Sequence, residues 1–209
     1  MTSKIGLRER KRMQAMRRIQ EAAVDLFDAR GFENVTIEQI AEAAEVSPSS
    51  VYRYFGTKEQ VVLRDEYEPQ FFEAVEAELV SHPPVEALRR ALSQIMTDYF
   101  SRDEELARRR TRYFLEEPSL RAAWTEQVDH FARAVADALA RVAGRRSDEL
   151  EVQVIASVLV WSLAAAVRHW HAGSYATPLE EEIERALAVV ESGLQLNGRE
   201  AASRRPSTS

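Results

Sequence analysis

The sequence predicts an all-α protein, with a three-helix head at the N-terminus and a larger helical body behind it. Three observations lead there. Apolar residues recur every three or four positions along most of the 209 residues, which is the spacing of helices that bury one face. Ser, Thr, Gly and Pro fall between those runs, where helices start and stop. No stretch alternates apolar and polar residues as a half-buried strand does. A hydrophobic content of 45% with 30% charged residues is ordinary for a globular chain. The length suffices for one or two real cores.

Charge is distributed unevenly. The formal net charge is −6, yet residues 1–20 hold seven bases (Lys4, Arg8, Arg10, Lys11, Arg12, Arg17, Arg18) against Glu9. A basic arm on an acidic body suits a protein that meets phosphate at one end only. The sequence has no cysteine, which excludes disulfides, thiolate zinc sites and thiol nucleophiles. The basic opening MTSKIGLRERKRM leads into no apolar run, so no signal peptide is expected and a cytoplasmic location follows.

The first helix is expected from about Arg8 to Arg30. Ile19, Ala23, Leu26 and Phe27 form its inner face, and Gly31 ends it. Val35 to Lys58 then reads as two short helices, a tight turn and the start of another helix. Thr36 and Gln39 make a capping box for the first of these, with Ile37, Ile40, Ala41 and Ala44 on its buried face. Ser47 caps the second, Pro48 sits at its first position and Gly56 stops it. Thr57 caps the next, with Lys58 in its first turn.

Two short helices joined this way form the unit that lays its second helix in the major groove of DNA. Ser49 and Ser50 lie near the N-terminus of that second helix, where base edges are reached. Arg53 is its long bidentate donor for guanine. Tyr52, Tyr54 and Lys58 offer two hydroxyls and a charge to phosphates, and Thr36 and Ser47 sit at helix N-termini that add backbone N–H donors.

The run T-x-x-x-I-A-x-x-A-x-V-S-x-x-x-x-Y-x-Y-F-x-x-K is carried by Thr36, Ile40, Ala41, Ala44, Val46, Ser47, Tyr52, Tyr54, Phe55 and Lys58. It resembles the DNA-binding signature of TetR-family transcriptional regulators. That resemblance implies a helix-turn-helix head, a C-terminal body that binds a ligand and dimerises, and a double-stranded DNA operator as partner. One position departs from the family pattern. Glu45 stands where a glycine is usual, and a left-handed turn there costs on the order of 1 kcal/mol.

Lys58 to about Glu68 is expected to continue as a helix from head to body, with Pro69 interrupting the pattern. After the loop at His82-Pro83-Pro84, one helix follows from Val85 to about Tyr99 and a second from Asp103 to about Glu116. The second carries Arg108, Arg109, Arg110 and Arg112. This run reads either as a solvated face balanced by glutamates or as a site for a ligand's phosphate or carboxylate. Pro118 breaks the pattern and Ser119 is the expected cap of a long helix reaching about Val142.

Val152 to Val167 is the most apolar stretch, and at 16 residues it is too short for a convincing membrane span. Thr177, Pro178 and Glu180 mark a cap for the last helix. There Leu179, Ile183, Leu187, Val190 and Leu194 form a heptad-like seam. These last two long helices are expected to pair with a second subunit, as the family resemblance implies. The interface is assigned to Ile155, Leu159, Leu163, Ile183, Leu187 and Val190.

Aromatic residues of the body point to a small-molecule pocket. Tyr99, Phe100, Phe114, Trp124, Phe131 and Trp170 are assigned to it, with Arg109 and His169 as polar contacts. No metal is expected, because His169 and His171 lie about 200° apart on a helix. No cofactor is implied. The stretch Leu106 to Trp124, LARRRTRYFLEEPSLRAAW, resembles a subgroup of the family whose body binds acyl-CoA-like ligands, including the mycofactocin-locus regulators. That resemblance gives the arginines CoA phosphates to hold.

The sequence thus divides into a DNA-binding head (1–58), a ligand-binding and dimerisation body (59–196) and a polar tail (197–209) expected to be disordered. The expected function is a homodimeric regulator, most simply a repressor released by a hydrophobic or acyl-CoA-like effector. An activator of the same family and an all-α ligand carrier without DNA binding are the alternatives. No catalytic constellation is legible, and no membrane partner is expected.

Overall fold

The computed structural model describes residues 6–195, without the side chains of Glu9 and of residues 96–103. Lys4 of the basic arm and the 197–209 tail lie outside the described residues. Among the described residues the chain is helical throughout: α1 (Leu7–Arg30), a 3₁₀ turn (Phe32–Asn34), α2 (Ile37–Ala43), α3 (Pro48–Phe55), α4 (Lys58–Leu63), α5 (Glu68–Leu79), α6 (Pro84–Glu116), α7 (Pro118–Ala143), α8 (Leu150–Ala172) and α9 (Leu179–Glu191).

The head forms around one buried cluster. Ile19, Ala23 and Phe27 of α1 meet Ile37, Ile40 and Ala41 of α2, Val51 and Phe55 of α3, and Val61 and Val62 of α4. Leu120 of α7 is buried in the same cluster, so body and head share a seam. The caps do what the residue types dictate. Thr36 Oγ1 accepts from Gln39 N at 3.3 Å while Gln39 Oε1 accepts from Thr36 N at 3.0 Å. Ser47 Oγ accepts from Ser50 N at 3.3 Å with Pro48 at the start of α3.

Between α2 and α3 the chain makes a Schellman turn. Val46 N donates to Ala41 O at 2.9 Å and Glu45 N to Glu42 O at 3.1 Å, the paired bonds that satisfy the last carbonyls of a helix. Glu45 has φ 54°, so a residue with a Cβ occupies the left-handed region where glycine is at ease. Glu45→Gly is expected to stabilise the protein by up to about 1 kcal/mol. A urea midpoint that stays put or falls in this variant would show the turn to be unstrained.

Three helix boundaries differ from the sequence expectation. α4 stops at Leu63, because Arg64 is extended (φ −70°, ψ 133°) and Asp65 Oδ1 takes Tyr67 N at 2.8 Å. Pro69 then starts α5 rather than interrupting a helix, since the donor that proline lacks is not needed in a helix's first turn. The two helices expected between Val85 and Glu116 are one of 33 residues. After Pro84 that segment has no glycine or proline to stop it.

Two expected caps also differ. α7 has Pro118 at its first position and Glu117 as N-cap, while the Ser119 hydroxyl donates to Glu33 Oε1 at 3.3 Å. Pro178 is the N-cap of α9 and has no side-chain donor or acceptor to offer. The Thr177 hydroxyl instead donates to Glu182 Oε1 at 2.6 Å.

In the body, α5 to α9 pack around Val75, Leu79, Leu88, Val128, Val135, Leu139, Val160 and Leu187, among others. Arg89 ties α9 to α6 by pairing with Glu86, Glu184 and Glu191 at 2.7–2.9 Å. α8 runs for 23 residues with a mean hydropathy of 1.9 over its most apolar window, longer than the sequence suggested. By length and composition it is the one helix among the described residues able to cross a membrane. It also has a core role, for Val152, Ala156, Leu159, Val160, Ala164, Ala166 and Trp170 are buried along it.

Candidate nucleic-acid interface

α3 carries its functional side chains because its two apolar residues point inward. Val51 and Phe55 are buried, which at helical spacing turns Ser49, Tyr52 and Arg53 outward, and all three are exposed. Ser47 Oγ lies 2.9 Å from both Ser49 Oγ and Ser50 Oγ. Arg53 Nη2 donates to Ser50 Oγ at 3.3 Å, and its guanidinium stands 4.8 Å from the Tyr54 ring centroid. Tyr52 OH reaches Glu38 Oε1 at 3.4 Å. These contacts pre-arrange a patch of hydroxyls around one arginine fork.

Thr36 is exposed at the start of α2. Lys58, a residue expected at a phosphate, is also tied into the head. Its Nζ donates to Phe32 O at 2.9 Å and sits 4.3 Å from the Phe32 ring centroid. Tyr54 is half-buried against the head core. Both are therefore part of how the head holds together, besides any contact with DNA.

The arginine run on α6 is the largest surprise of the body. Arg109 was assigned to a ligand anion, but it donates to Asp25 Oδ1 at 2.7 Å and Asp28 Oδ2 at 2.6 Å on α1. Arg112 also pairs with Asp28, and Tyr113 OH donates to Asp28 Oδ1 at 2.6 Å. Arg108 pairs with Glu104 at 2.5 Å. Arg110 is buried and donates to Val62 O at 2.8 Å and Arg64 O at 2.7 Å. Spacing along a helix could not show that α1 and α4 lie alongside this segment.

Burial works to raise the Asp28 carboxyl, but Tyr113, Arg109 and Arg112 outweigh it and hold the group below 3.8. Burial first, then Asp28, pushes the Tyr113 hydroxyl up to about 12. A lowered folded-state value means that the stabilisation is present above the unfolded value. It is lost as pH falls through the folded one. Asp28→Asn is expected to destabilise by about 1 kcal/mol at pH 6, as for a partly exposed ion network. The gap to wild type should close as pH falls through the lowered folded-state value of Asp28. A gap that persists at low pH would mean that Asp28 acts through packing rather than charge.

The residues assigned to an effector pocket separate into groups. Phe114 stacks on Trp124 at 5.5 Å, and Arg168 stands 5.5 Å from Trp124 and 6.0 Å from Trp161. Phe131 belongs to another group, with Phe72 at 5.2 Å and Phe71 at 6.5 Å. Trp170 is only 1% exposed. Its Nε1 donates to Thr177 O at 2.9 Å and its ring meets Tyr175 edge-on at 4.7 Å, so it is a core residue here. The His169 ring lies 2.9 Å from Glu182, whereas His171 faces Glu116 at 3.3 Å and Tyr175 OH at 2.8 Å. The side chains of Tyr99 and Phe100 lie outside the described residues.

Two open clefts are evident. One of about 430 Å³ lies between α1 and the end of α2, lined by Arg18, Glu21, Asp25 and Glu45 among others. The other, of about 400 Å³, lies between α4, the start of α5 and α7, lined by Arg64, Glu68, Gln127, His130 and Arg133 among others. Neither includes the assigned aromatic residues. Burial raises the Glu68 carboxyl in the second cleft.

The expected dimer residues also divide. Ile155 is 40% exposed, but Leu159, Ile183 and Leu187 are buried within the protomer. Leu163 and Val190 are half-buried. The heptad-like seam of α9 packs on the chain's own core through Leu179, Ile183 and Leu187, because a seam specifies an apolar partner and not which chain supplies it. The large apolar residues left exposed on these two helices include Leu150, Val154 and Ile155 on α8 and Val189 on α9. Of these, Ile155 is the one that the sequence assigns to the interface.

A capped three-helix head with an outward α3, set on a helical body, defines a helix-turn-helix transcriptional regulator. The chain belongs to the TetR family. Residues 19–64 match the family described as bacterial regulatory proteins, tetR family, and residues 82–195 match the MftR C-terminal domain. MftR of Mycobacterium tuberculosis, assigned to regulation of mycofactocin biosynthesis, is 26% identical over 92% of this chain and 96% of its own length. The transcriptional repressor KstR of Rhodococcus jostii is 31% identical over 82% of each chain. The regulator TcmR of Streptomyces glaucescens is 36% identical over 93 residues, which span 44% of this chain and only 41% of TcmR. Among solved structures, the repressor FadR of Thermus thermophilus in complex with lauroyl-CoA aligns with a TM-score of 0.50. It is 25% identical over 90% of this chain and 100% of its own. These relatives are transcriptional regulators, and this chain is one rather than an enzyme.

Proposed function

We propose that the protein is a cytoplasmic homodimeric repressor that binds a near-palindromic operator and leaves it when an acyl-CoA-like or other small hydrophobic effector occupies the body. The observation that carries the DNA half is the outward face of α3, where Ser49, Tyr52 and Arg53 are exposed and Ser50 is half-buried beside them. Arg53 reads a base edge, while Thr36, Ser47, Tyr52, Tyr54 and Lys58 serve the phosphates. The apolar side chains left exposed on α8 and α9, Ile155 among them, support a dimer. A second copy places two heads for half-sites about one helical turn apart, roughly 34–36 Å.

The effector half is supported by the lauroyl-CoA carried by the T. thermophilus FadR relative and by the match to the MftR C-terminal domain. Phe114 and Trp124, stacked on each other, supply the apolar wall in this reading. Arg109 is already paired with Asp25 and Asp28, so Arg168 beside Trp124 is the better cation for an anionic head group. The test is the Tm of the purified protein with free CoA, laurate and lauroyl-CoA. A ligand at 100 times its Kd stabilises by about 2.7 kcal/mol, a shift of several degrees for a chain of this size. A rise with lauroyl-CoA accompanied by DNA release supports the reading. A flat response to all three sinks the acyl-CoA assignment.

A further inference from the structure

We propose that Arg110 and Arg64 are positioning residues that fix the bearing of the recognition helix α3 relative to the body. This rests on the DNA reading above and goes beyond it, because neither side chain needs to touch DNA.

The two arginines form consecutive links. Arg110, on α6, is 5% exposed and spans the end of α4 with two bonds, Nε to Val62 O at 2.8 Å and Nη2 to Arg64 O at 2.7 Å. Gln20 of α1, wholly buried, donates to Arg64 O at 2.7 Å and to Val61 O at 3.1 Å. The same carbonyl therefore receives one donor from the head and one from the body. From this residue the Arg64 side chain reaches back, and its Nη1 donates to Tyr54 O at 2.9 Å. Tyr54 is in the last turn of α3. A path of hydrogen bonds thus runs from α6 through the end of α4 to the C-terminal turn of the recognition helix.

The chemistry explains why an arginine stands at position 110. Carbonyls at a helix C-terminus carry partial negative charge and lack intrahelical donors. The planar guanidinium meets two of them at fixed angle, which the single ammonium of lysine cannot do. Burial shields the Arg110 bonds from salt, whereas the neighbouring Arg109 and Arg112 pairs with Asp28 are partly exposed and screened. The buried links hold the angle, and the outer pairs reinforce it. Coupling of this kind travels through contiguous contacts, and here each contact is in place.

A dimer reads two half-sites at one separation, so the bearing of α3 sets its tolerance for spacing. The experiment uses the full-length protein and a duplex selected by wild type from a random pool, next to the same duplex with one central base pair inserted. Wild type should bind the inserted duplex at least about tenfold more weakly, equivalent to about 1.4 kcal/mol. Arg64→Met keeps the backbone carbonyl and removes the link to Tyr54 O together with the charge that faces Glu68. It should discriminate by about twofold or less while its far-UV circular dichroism is unchanged. Arg110→Met should behave alike, and Arg110→Lys should not restore the ratio. A role in stability alone would weaken both duplexes together and leave the ratio intact. Folded Arg64→Met with wild-type discrimination overturns the proposal, even if Arg110→Met fails to fold. A wild-type protein that selects no duplex overturns the DNA reading itself.

Discussion

Ile155→Glu is expected to abolish dimerisation and tight DNA binding while leaving the protomer folded. Ile155 is 40% exposed, beside Val154, with Leu150 a turn away on α8 and Val189 on α9. In an isolated protomer a glutamate at this position stays in water. In a dimer it would be trapped in an apolar seam without a partner, and an uncompensated buried charge costs several kcal/mol. A loss of about 4 kcal/mol raises the dimer Kd roughly a thousandfold. Sedimentation of the variant should give a monomer with unchanged helicity, and its DNA affinity should fall to that of a single head. If Ile155→Glu sediments as wild type does, the exposed α8 residues are not the seam.

The second large effect is expected at Trp170. The side chain is sealed between α8 and the turn into α9, and its indole N–H is committed to Thr177 O. Trp170→Ala leaves both a cavity and an unpaired carbonyl. Truncating a buried aromatic typically costs 3–5 kcal/mol, taken here as an order-of-magnitude expectation. For a chain of this length that is a fall in Tm of roughly 6–20 °C. Trp170→Phe should recover a large part of it. A Tm within about 2 °C of wild type, together with lost effector binding, would return Trp170 to the pocket wall where the sequence reading put it.

The head was legible because its determinants are local. A capping box needs only Thr36 and Gln39 three residues apart, and a helix stop only Gly31 or Gly56. The strained turn at Glu45 could be anticipated only from the family resemblance, which places a glycine there. The body was legible as helices but not as partnerships. Leu159, Ile183 and Leu187 carry the period of an interface, and nothing in that period says that the facing helix belongs to the same chain. The arginines from Arg108 to Arg112 read either as a solvated face or as an anion site for the same reason. The charges that answer them, Asp25 and Asp28, lie more than 80 residues away in sequence. Arg110 was legible only as a charge, since its partners are backbone carbonyls of α4 and carry no side-chain signature.

The measurement that bears most directly on the account is DNA affinity as a function of salt, with stoichiometry, by fluorescence anisotropy on a duplex the protein itself selects. Two heads making six or more phosphate contacts should lose about 10³-fold or more in affinity between 50 and 200 mM salt. Two protomers should saturate each duplex. Affinity that does not change with salt, or no binding at 50 mM, would contradict the reading of α3 as a DNA-contacting helix and the function built on it.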